Sequence, residues 1–494
     1  MGFKKNIFTT IAAFALAQNL SAQEISVDDL RPHIKTLASD AFEGRLPGTE
    51  GGIKTAHYIA KKWFEAGLIG GAKDGSFYQT VPLVSRIPQS SIVSYNEGKR
   101  TVEISSNEIT LIGNEANEVF SAQTIFGGYG VKTDGTAIDG VQGKAVFILG
   151  GEASFLEGDD ATSASRSQKL AQAGAAAVVT ILTEDSDWRR FGRFFSRRPV
   201  ALQSINAAPR TRGLASFEYG KALANAAGIN WQNYLKASES GAFNGVDIKR
   251  TSHWNVRTHV RRYNSYNVIA KLPGNKPNAG SVFFTGHWDH LGKCKPIGAK
   301  DRICNGAVDN ASGMAVLIEV AERLGKQKFD RDIYFVGTTA EESGLLGAYH
   351  MVDNSPVDIN DIVVALNVDT IAIAPKGAKV AIIGRGTTDL DPIVEKIAIG
   401  LGREIDSSTD ANAFIRRQDG WALASKGVPA LMVGGSFADL DLLGEFLGSD
   451  YHTVDDEYSD KTELGGAAED AVLHLKLAEY FANVSTFGGN KGGE

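Results

Sequence analysis

The chain has 494 residues, of which 43% are hydrophobic and 22% are charged, and this is the composition of an ordinary folded protein. It excludes a disordered chain, a coiled coil and a collagen-like fibre. The 51 Lys and Arg residues against 58 Asp and Glu residues give a net charge of −7, which argues against nucleic-acid binding because that function usually needs a basic face.

The first 22 residues predict a signal peptide that is removed after Ala22. Lys4 and Lys5 precede an apolar stretch over residues 7–16, which is much shorter than the ~20 residues that a membrane-spanning helix needs. A membrane anchor is the alternative interpretation. We therefore expect an exported protein, periplasmic or secreted, without stable insertion into a membrane.

Two segments precede the part of the chain that carries the chemistry. Residues 23–90 predict helical and then extended structure, with apolar side chains at helical spacing over residues 55–68. Residues 91–255 change to short strands, such as the one over residues 145–148, and predict a separate small β-rich module. This module is expected to be inserted between two parts of one larger domain.

Residues 256–487 alternate short apolar strands with helices. This alternation is typical of an α/β fold with a mostly parallel or mixed central sheet and helices on both faces. Residues 488–494 hold no large apolar side chain and are expected to be disordered. Cys294 and Cys304 are the only cysteines, and in an oxidising compartment they are expected to form a disulfide, the alternative being two thiolate metal ligands.

Polar side chains follow several of the predicted strands at the point where each strand ends. The strand over residues 282–285 leads into His287 and Asp289, which can lie on one side of an extended chain. They can act as two metal ligands, or as one ligand and the carboxylate that orients it.

Four further acidic residues lie near comparable strand ends or at a helix start: Asp309, Glu341, Glu342 and Asp369. Taken singly, Asp309 is as well explained by a helix N-cap, and the adjacent Glu pair by a solvated surface. In one crevice, however, carboxylates would repel each other unless cations were present. Two divalent ions would balance them. Histidine and carboxylate ligands without thiolate suit Zn²⁺, with Mn²⁺ or Co²⁺ possible.

In order along the chain, these residues resemble the co-catalytic di-zinc aminopeptidases of metallopeptidase family 28. The motifs that carry the resemblance are His287-Trp288-Asp289, Asp309-Asn310-Ala311-Ser312-Gly313, Glu341-Glu342, Asn367-Val368-Asp369 and Tyr451-His452-Thr453. The inserted module resembles a protease-associated domain on weaker motifs, among them Gly127-Gly128-Tyr129-Gly130.

The resemblance implies a role for each of these residues. Asp309 would bridge two Zn²⁺ ions, His287 and Asp369 would complete one site, and Glu342 and His452 would complete the other. Asp289 would orient His287. Glu341 would be the general base that activates a hydroxide held by both metals, and the peptide bond after Asp309 would be cis.

The predicted function is therefore an exported zinc aminopeptidase that acts on peptides. A dipeptidase or carboxypeptidase with the same metal pair is the first alternative, and a glutaminyl cyclase or a non-catalytic, receptor-like binding protein is less favoured. One departure concerns substrate binding, because Gly420 stands where family members often carry histidine after the acid at Asp419. His290 is the one remaining histidine singled out, because it lies three residues after His287.

Overall fold

The computed structural model describes residues 24–97, 100–103, 107–196, 200–203 and 209–489. The predicted leader, residues 1–22, lies outside the described residues, and so do residues 490–494 of the predicted tail. Within the described ranges, no helix combines the length and hydrophobicity needed to cross a bilayer.

The chain divides into two compact units. Pro82–Tyr263 forms the second unit, and the segments before and after it form the first. These boundaries lie nine residues before and eight residues after those expected for the inserted module. The strands Tyr78–Glu97 and Val246–Leu272 run across the two boundaries without a break, so the change in sequence pattern does not mark the change of unit.

The first unit is α/β, as predicted, and its central sheet is mixed. Parallel pairing joins the three strands Asp332–Thr338, Ser281–His287 and Ile362–Asn367, and the last of these also pairs in parallel with Ala430–Gly434. Antiparallel strands flank this set on both sides, namely Ala381–Ile383 on Ala430–Gly434 and the end of Val246–Leu272 on Asp332–Thr338; the short strand Ile69–Gly70 pairs with that same end.

Helices surround this sheet and bury its apolar side chains. Phe284 and Phe335 stack with ring centroids 5.2 Å apart on adjacent strands, beside the fully buried Trp63. The helices of this unit are Val27–Leu37, Glu50–Glu65, Gly313–Leu324, Leu346–Asp353, Asp391–Gly400, Gly420–Ala424, Leu440–Gly448 and Gly465–Phe481.

The predicted disulfide between Cys294 and Cys304 is present. It closes the small hairpin made by the strands Gly292–Lys293 and Ile303–Cys304. Both sulfur atoms are therefore committed to each other, and the alternative of two thiolate metal ligands is wrong.

The second unit has a hydrophobic core around Phe126, Phe147 and Trp254. Its strands Asn117–Phe126, Ala145–Leu149, Ala177–Ile181 and Thr211–Ala215 pair in parallel in that order, and Ile109–Gly113 adds an antiparallel edge. The first part of Val246–Leu272 pairs with Asn117–Phe126, and Tyr78–Glu97 pairs with Arg100–Glu103 and Val200–Leu202. The helices are Ser163–Gln172, Trp188–Ser196, Phe217–Ala226 and Trp231–Ser238.

Candidate metal centre

Three parallel strands of the first unit bring their polar end residues to one edge of the sheet. In the ladder, His287 pairs with Thr338, and Thr285 pairs with Asn367. Glu341 and Asp369 therefore follow strands that lie on either side of the strand that ends at His287. The carboxyl ends of parallel strands are where open α/β sheets keep their ligands.

Asp309 comes to the same place from an irregular segment, Ala307–Ser312, which precedes the buried helix Gly313–Leu324. The Asp309–Asn310 peptide bond is cis, as the resemblance implied. The Asn310 side chain donates to the carbonyl oxygen of Val368 at 3.1 Å and accepts from the Gly313 N–H at 3.0 Å. This amide thereby ties the start of the helix to the strand end that precedes Asp369.

The two oxygens of Asp309 face two different groups of ligand atoms. Oδ1 lies 3.2 Å from His287 Nε2, which in turn lies 3.5 Å from Asp369 Oδ1. Oδ2 lies 3.2 Å from His452 Nε2, which lies 2.8 Å from Glu342 Oε2. Asp309 is thus placed between two histidine–carboxylate groups, and we call these the His287 group and the His452 group.

The atoms that converge here are mostly buried and are not satisfied by one another. His452 Nε2 and Glu342 Oε1 form no hydrogen bond within the described residues, although each has an oppositely charged neighbour at short distance. Atoms that are close but not aligned as donor and acceptor suit a shared cation better than direct hydrogen bonds. The two histidines and three carboxylates therefore fit a pair of divalent metal ions.

The carboxylates of the site favour positively charged partners, as the pKa values of its two histidines show. Burial lowers the pKa of His287, but the carboxylates of Asp369 and Glu341 outweigh it and hold that pKa well above its usual value. The pKa of His452 is raised to about 10 against the effect of burial, by its contacts with Asp309 and Glu342. Without metal ions, protonated histidines would balance the carboxylates, and divalent cations can take over that part.

Glu341 differs from the other carboxylates of the site. Burial and the neighbouring Glu342 raise its pKa well above the usual value, despite the opposing effect of His287. Its Oε2 lies 4.0 Å from His287 Nε2, farther than the carboxylate oxygens of Asp309 and Asp369. A carboxylate that borders the ligand atoms and binds a proton readily has the properties of a general base.

Asp289 is adjacent to His287 but does not contact its ring as expected. The distance from His287 Nδ1 to Asp289 Oδ1 is 3.9 Å, whereas the main-chain oxygen of Asp289 is 3.2 Å from the same nitrogen. The Asp289 carboxylate instead accepts the N–H of Glu341 at 3.0 Å. It is fully buried, and burial raises its pKa to about 8.

Three residues of the site were missed or not assigned a role from the sequence. His290 Nδ1 lies 2.7 Å from Glu342 Oε1 and 3.8 Å from Asp309 Oδ2, so it borders the His452 group. The buried Arg45 donates to the carbonyl oxygens of Gly306 and Asp309, and the carboxylate of Asp456 accepts the N–H of Val308 at 2.8 Å and of Asp309 at 3.1 Å.

Only His290 could have been found from its spacing, since it follows His287 by three residues. Arg45 and Asp456 act through the main chain around Asp309 from distant parts of the sequence. Arg45 lies in a segment, Asp40 to Gly48, that also resembles the family, but the sequence does not show that either residue contacts the main chain around Asp309.

Comparison with known proteins gives a consistent family assignment. Residues 267–475 match the model of peptidase family M28. Aminopeptidase YwaD of Bacillus subtilis (strain 168) is 35% identical over 109 residues, 22% of each chain. The probable leucine aminopeptidase 2 of Aspergillus oryzae is 27% identical over 304 residues, 60% of this chain and 52% of the relative. The chain thus spans between about a fifth and about a half of the length of these curated relatives.

Among solved structures, an aminopeptidase from Aneurinibacillus sp. strain AM-1 superposes with a TM-score of 0.56 at 19% identity, covering 93% of this chain and 95% of that one. This likeness is one of fold. Residues 267–475 thus match the model of peptidase family M28, and the fold of the chain is that of an aminopeptidase of known structure.

Proposed function

We propose that this protein is a metal-dependent aminopeptidase that hydrolyses the first peptide bond of peptides. The observation that carries the proposal is the placement of Asp309, whose two carboxylate oxygens face two separate histidine–carboxylate groups. A carboxylate so placed is suited to bridge two ions, and two-ion sites are a common solution for hydrolytic chemistry.

His287, Asp309 and Asp369 would hold one ion, and Asp309, Glu342 and His452 would hold the other. This donor set of imidazole and carboxylate fits Zn²⁺, and Mn²⁺ or Co²⁺ are chemically acceptable. When bound, the ions would supply Lewis acidity, which lets water lose a proton near neutral pH and stabilises the charge that develops on the scissile carbonyl oxygen.

The chain's own residues then move the proton and position the ligands. Glu341 would take a proton from the attacking water and later give it to the leaving amine, for which its raised pKa is well suited. Asp289 would fix the start of the Glu341 segment through the N–H of that residue. The acidic surroundings would favour a protonated or metal-bound N-terminal amine, which supports an aminopeptidase over a carboxypeptidase.

The proposal is tested with an aminoacyl p-nitroanilide and its N-acetylated form. The free-amine substrate should be cleaved and the blocked one should not, and a chelator should abolish cleavage until Zn²⁺ is restored. Glu341→Gln should keep its metal yet lose about 10²- to 10⁴-fold in kcat. Glu322→Gln, a change at a half-exposed side chain outside the site, is the control. Cleavage that survives full removal of metal would contradict the proposal.

We further propose that the protein is exported and that its second unit is a protease-associated domain. The disulfide Cys294–Cys304 supports export, because disulfides persist mainly in oxidising compartments. Fractionation of a cell that produces the full chain, with N-terminal sequencing of the product, tests both the location and the predicted cut after Ala22.

A further inference from the structure

A cleft beside the candidate metal centre combines apolar walls with a single arginine. His287, Asp309, Glu341 and Asp369 border it, and it is partly open to solvent. The rest of its lining includes Phe414, Met432, Phe437, Leu443, Leu447 and Arg417. Because the cleft reaches the candidate ligands, a substrate held for hydrolysis would extend into it.

Arg417 brings a positive charge to this cleft and is not held in an ion pair by any carboxylate of the described residues. Its guanidinium carbon lies 5.4 Å from the ring of Phe414. Its side chain is exposed. A planar, permanently charged guanidinium on an aromatic surface is well suited to bind a carboxylate through two hydrogen bonds.

A substrate carboxylate could come from an acidic first residue or from the C-terminus of a dipeptide. The apolar side chains favour the second source, because they would surround the first side chain of a bound peptide and give an acidic group no hydration. In a dipeptide, by contrast, the terminal carboxylate lies one residue beyond the scissile bond, a few ångströms from the reacting carbonyl.

We propose that Arg417 binds the C-terminal carboxylate of dipeptides, so that dipeptides are the preferred substrates. This inference rests on the proposed function, because it assumes that the first peptide bond is placed at the metal centre. It deepens that function by naming the substrate class, and it gives a reason to prefer the dipeptidase among the alternatives considered from the sequence.

The experiment compares Leu-Gly with Leu-Gly-NH₂, which differ only in the C-terminal charge. The zinc-loaded protein should have a higher kcat/KM for Leu-Gly, and Arg417→Gln should lower the ratio of the two values by about 10- to 100-fold, as expected for a lost charge-assisted bond. Arg417→Lys should retain part of the ratio. Arg416→Gln is the matched control, because Arg416 lies over Trp421, at 4.8 Å, and does not line the cleft.

Several results would overturn the inference. One is an unchanged ratio in Arg417→Gln, and another is a protein that does not prefer Leu-Gly over its amide. A third is a loss seen only when Glu-Gly-NH₂ is compared with Leu-Gly-NH₂, since the carboxylate would then come from the first side chain.

Calorimetry gives a readout that does not depend on turnover. In the Glu341→Gln background, Arg417→Gln should weaken Leu-Gly binding by a similar factor and leave Leu-Gly-NH₂ binding almost unaffected. Suppose that the zinc-loaded protein hydrolyses no peptide but that Arg417→Gln still weakens the binding of Leu-Gly. The proposed function would then be rejected, and the carboxylate site would stand. Equal binding of the two peptides by both proteins would reject the carboxylate site.

Discussion

The two halves of the candidate metal centre share Asp309 but are built differently. His287 ends a central strand and exposes 2% of its side chain, whereas His452 lies in a turn and exposes 35%. The His452 backbone is in the left-handed region, at φ 61°, and its ring stacks on Tyr451 at 3.7 Å. One half is therefore positioned by the sheet, and the other by a loop.

The loop half has supports that the sheet half does not need. His290 lies against Glu342, and the sulfur of the disulfide-bonded Cys304 lies 3.8 Å from the carbonyl oxygen of His452. A ligand on a loop loses more conformational freedom when it is ordered than a ligand already fixed on a strand. We therefore expect the His452 group to bind its ion more weakly than the His287 group.

The largest effect is expected where the two halves meet. Asp309→Asn keeps the shape of the side chain but removes the charge shared by both groups. The variant should lose both ions at ordinary metal concentrations and about four orders of magnitude in kcat/KM. Elemental analysis and steady-state rates check this together. A variant that keeps two ions per chain would show that Asp309 does not bridge them.

The next effect separates the halves. His452→Ala should bind one ion per chain, and careful chelation of the unaltered protein should give the same one-ion form first. His287→Ala should bind its ions much more weakly, because it empties a buried position on the strand. Each variant should lose about 10²- to 10³-fold in kcat, since the chemistry needs both ions. If chelation empties the His287 group first, the ranking of the halves is wrong.

The sequence was a good guide to the sheet half of the site. Apolar, mostly β-branched runs ending in His287, Glu341 and Asp369 predicted strands, and parallel strands align their carboxyl ends. The family resemblance supplied Asp309 and His452 by order along the chain. No periodicity could place them, because an irregular segment and a turn have none.

What the sequence could not give is the set of contacts that hold Asp309. Arg45 and Asp456 bind main-chain atoms around it from about 260 residues before and about 150 residues after. Main-chain groups are the same in every residue, so no pattern of side chains points to such pairs. The strands Tyr78–Glu97 and Val246–Leu272 also run across both ends of the second unit, so a change in sequence pattern need not coincide with a change of unit.

A smaller effect should come from the support beneath the shared ligand. The Asp456 carboxylate accepts two main-chain N–H groups, those of Val308 and Asp309. In Asp456→Asn, the remaining oxygen can accept one of them, but the new NH₂ group would face the second N–H and repel it. We expect metal affinity about 10- to 100-fold weaker, as for other changes next to metal ligands. Competition with a fluorescent chelator measures it. Asp455→Asn, the exposed neighbour, is the control and should bind metal like the unaltered protein.

The smallest effect at neutral pH concerns the core beneath the sheet half. His474 is fully buried, and its ring lies 6.2 Å from that of Phe284 on the strand that leads to His287. Burial lowers its pKa to about 4, so the folded state holds it neutral. The unfolded chain binds a proton below about pH 6.5, and stability is therefore complete above that pH and falls as the pH drops toward 4.

In the metal-free protein, His474 should lower the free energy of unfolding by about 2–3 kcal/mol when the pH falls from 7 to 4.5. His474→Leu removes the titrating group at similar size, so its urea midpoint should fall less over the same interval than that of the unaltered protein. Since other groups titrate in both proteins, the difference between the two falls is the quantity to compare. Equal falls would mean that His474 is already solvated in the folded state. The core beneath the His287 group would then be more accessible to water than the comparison of the two halves assumes.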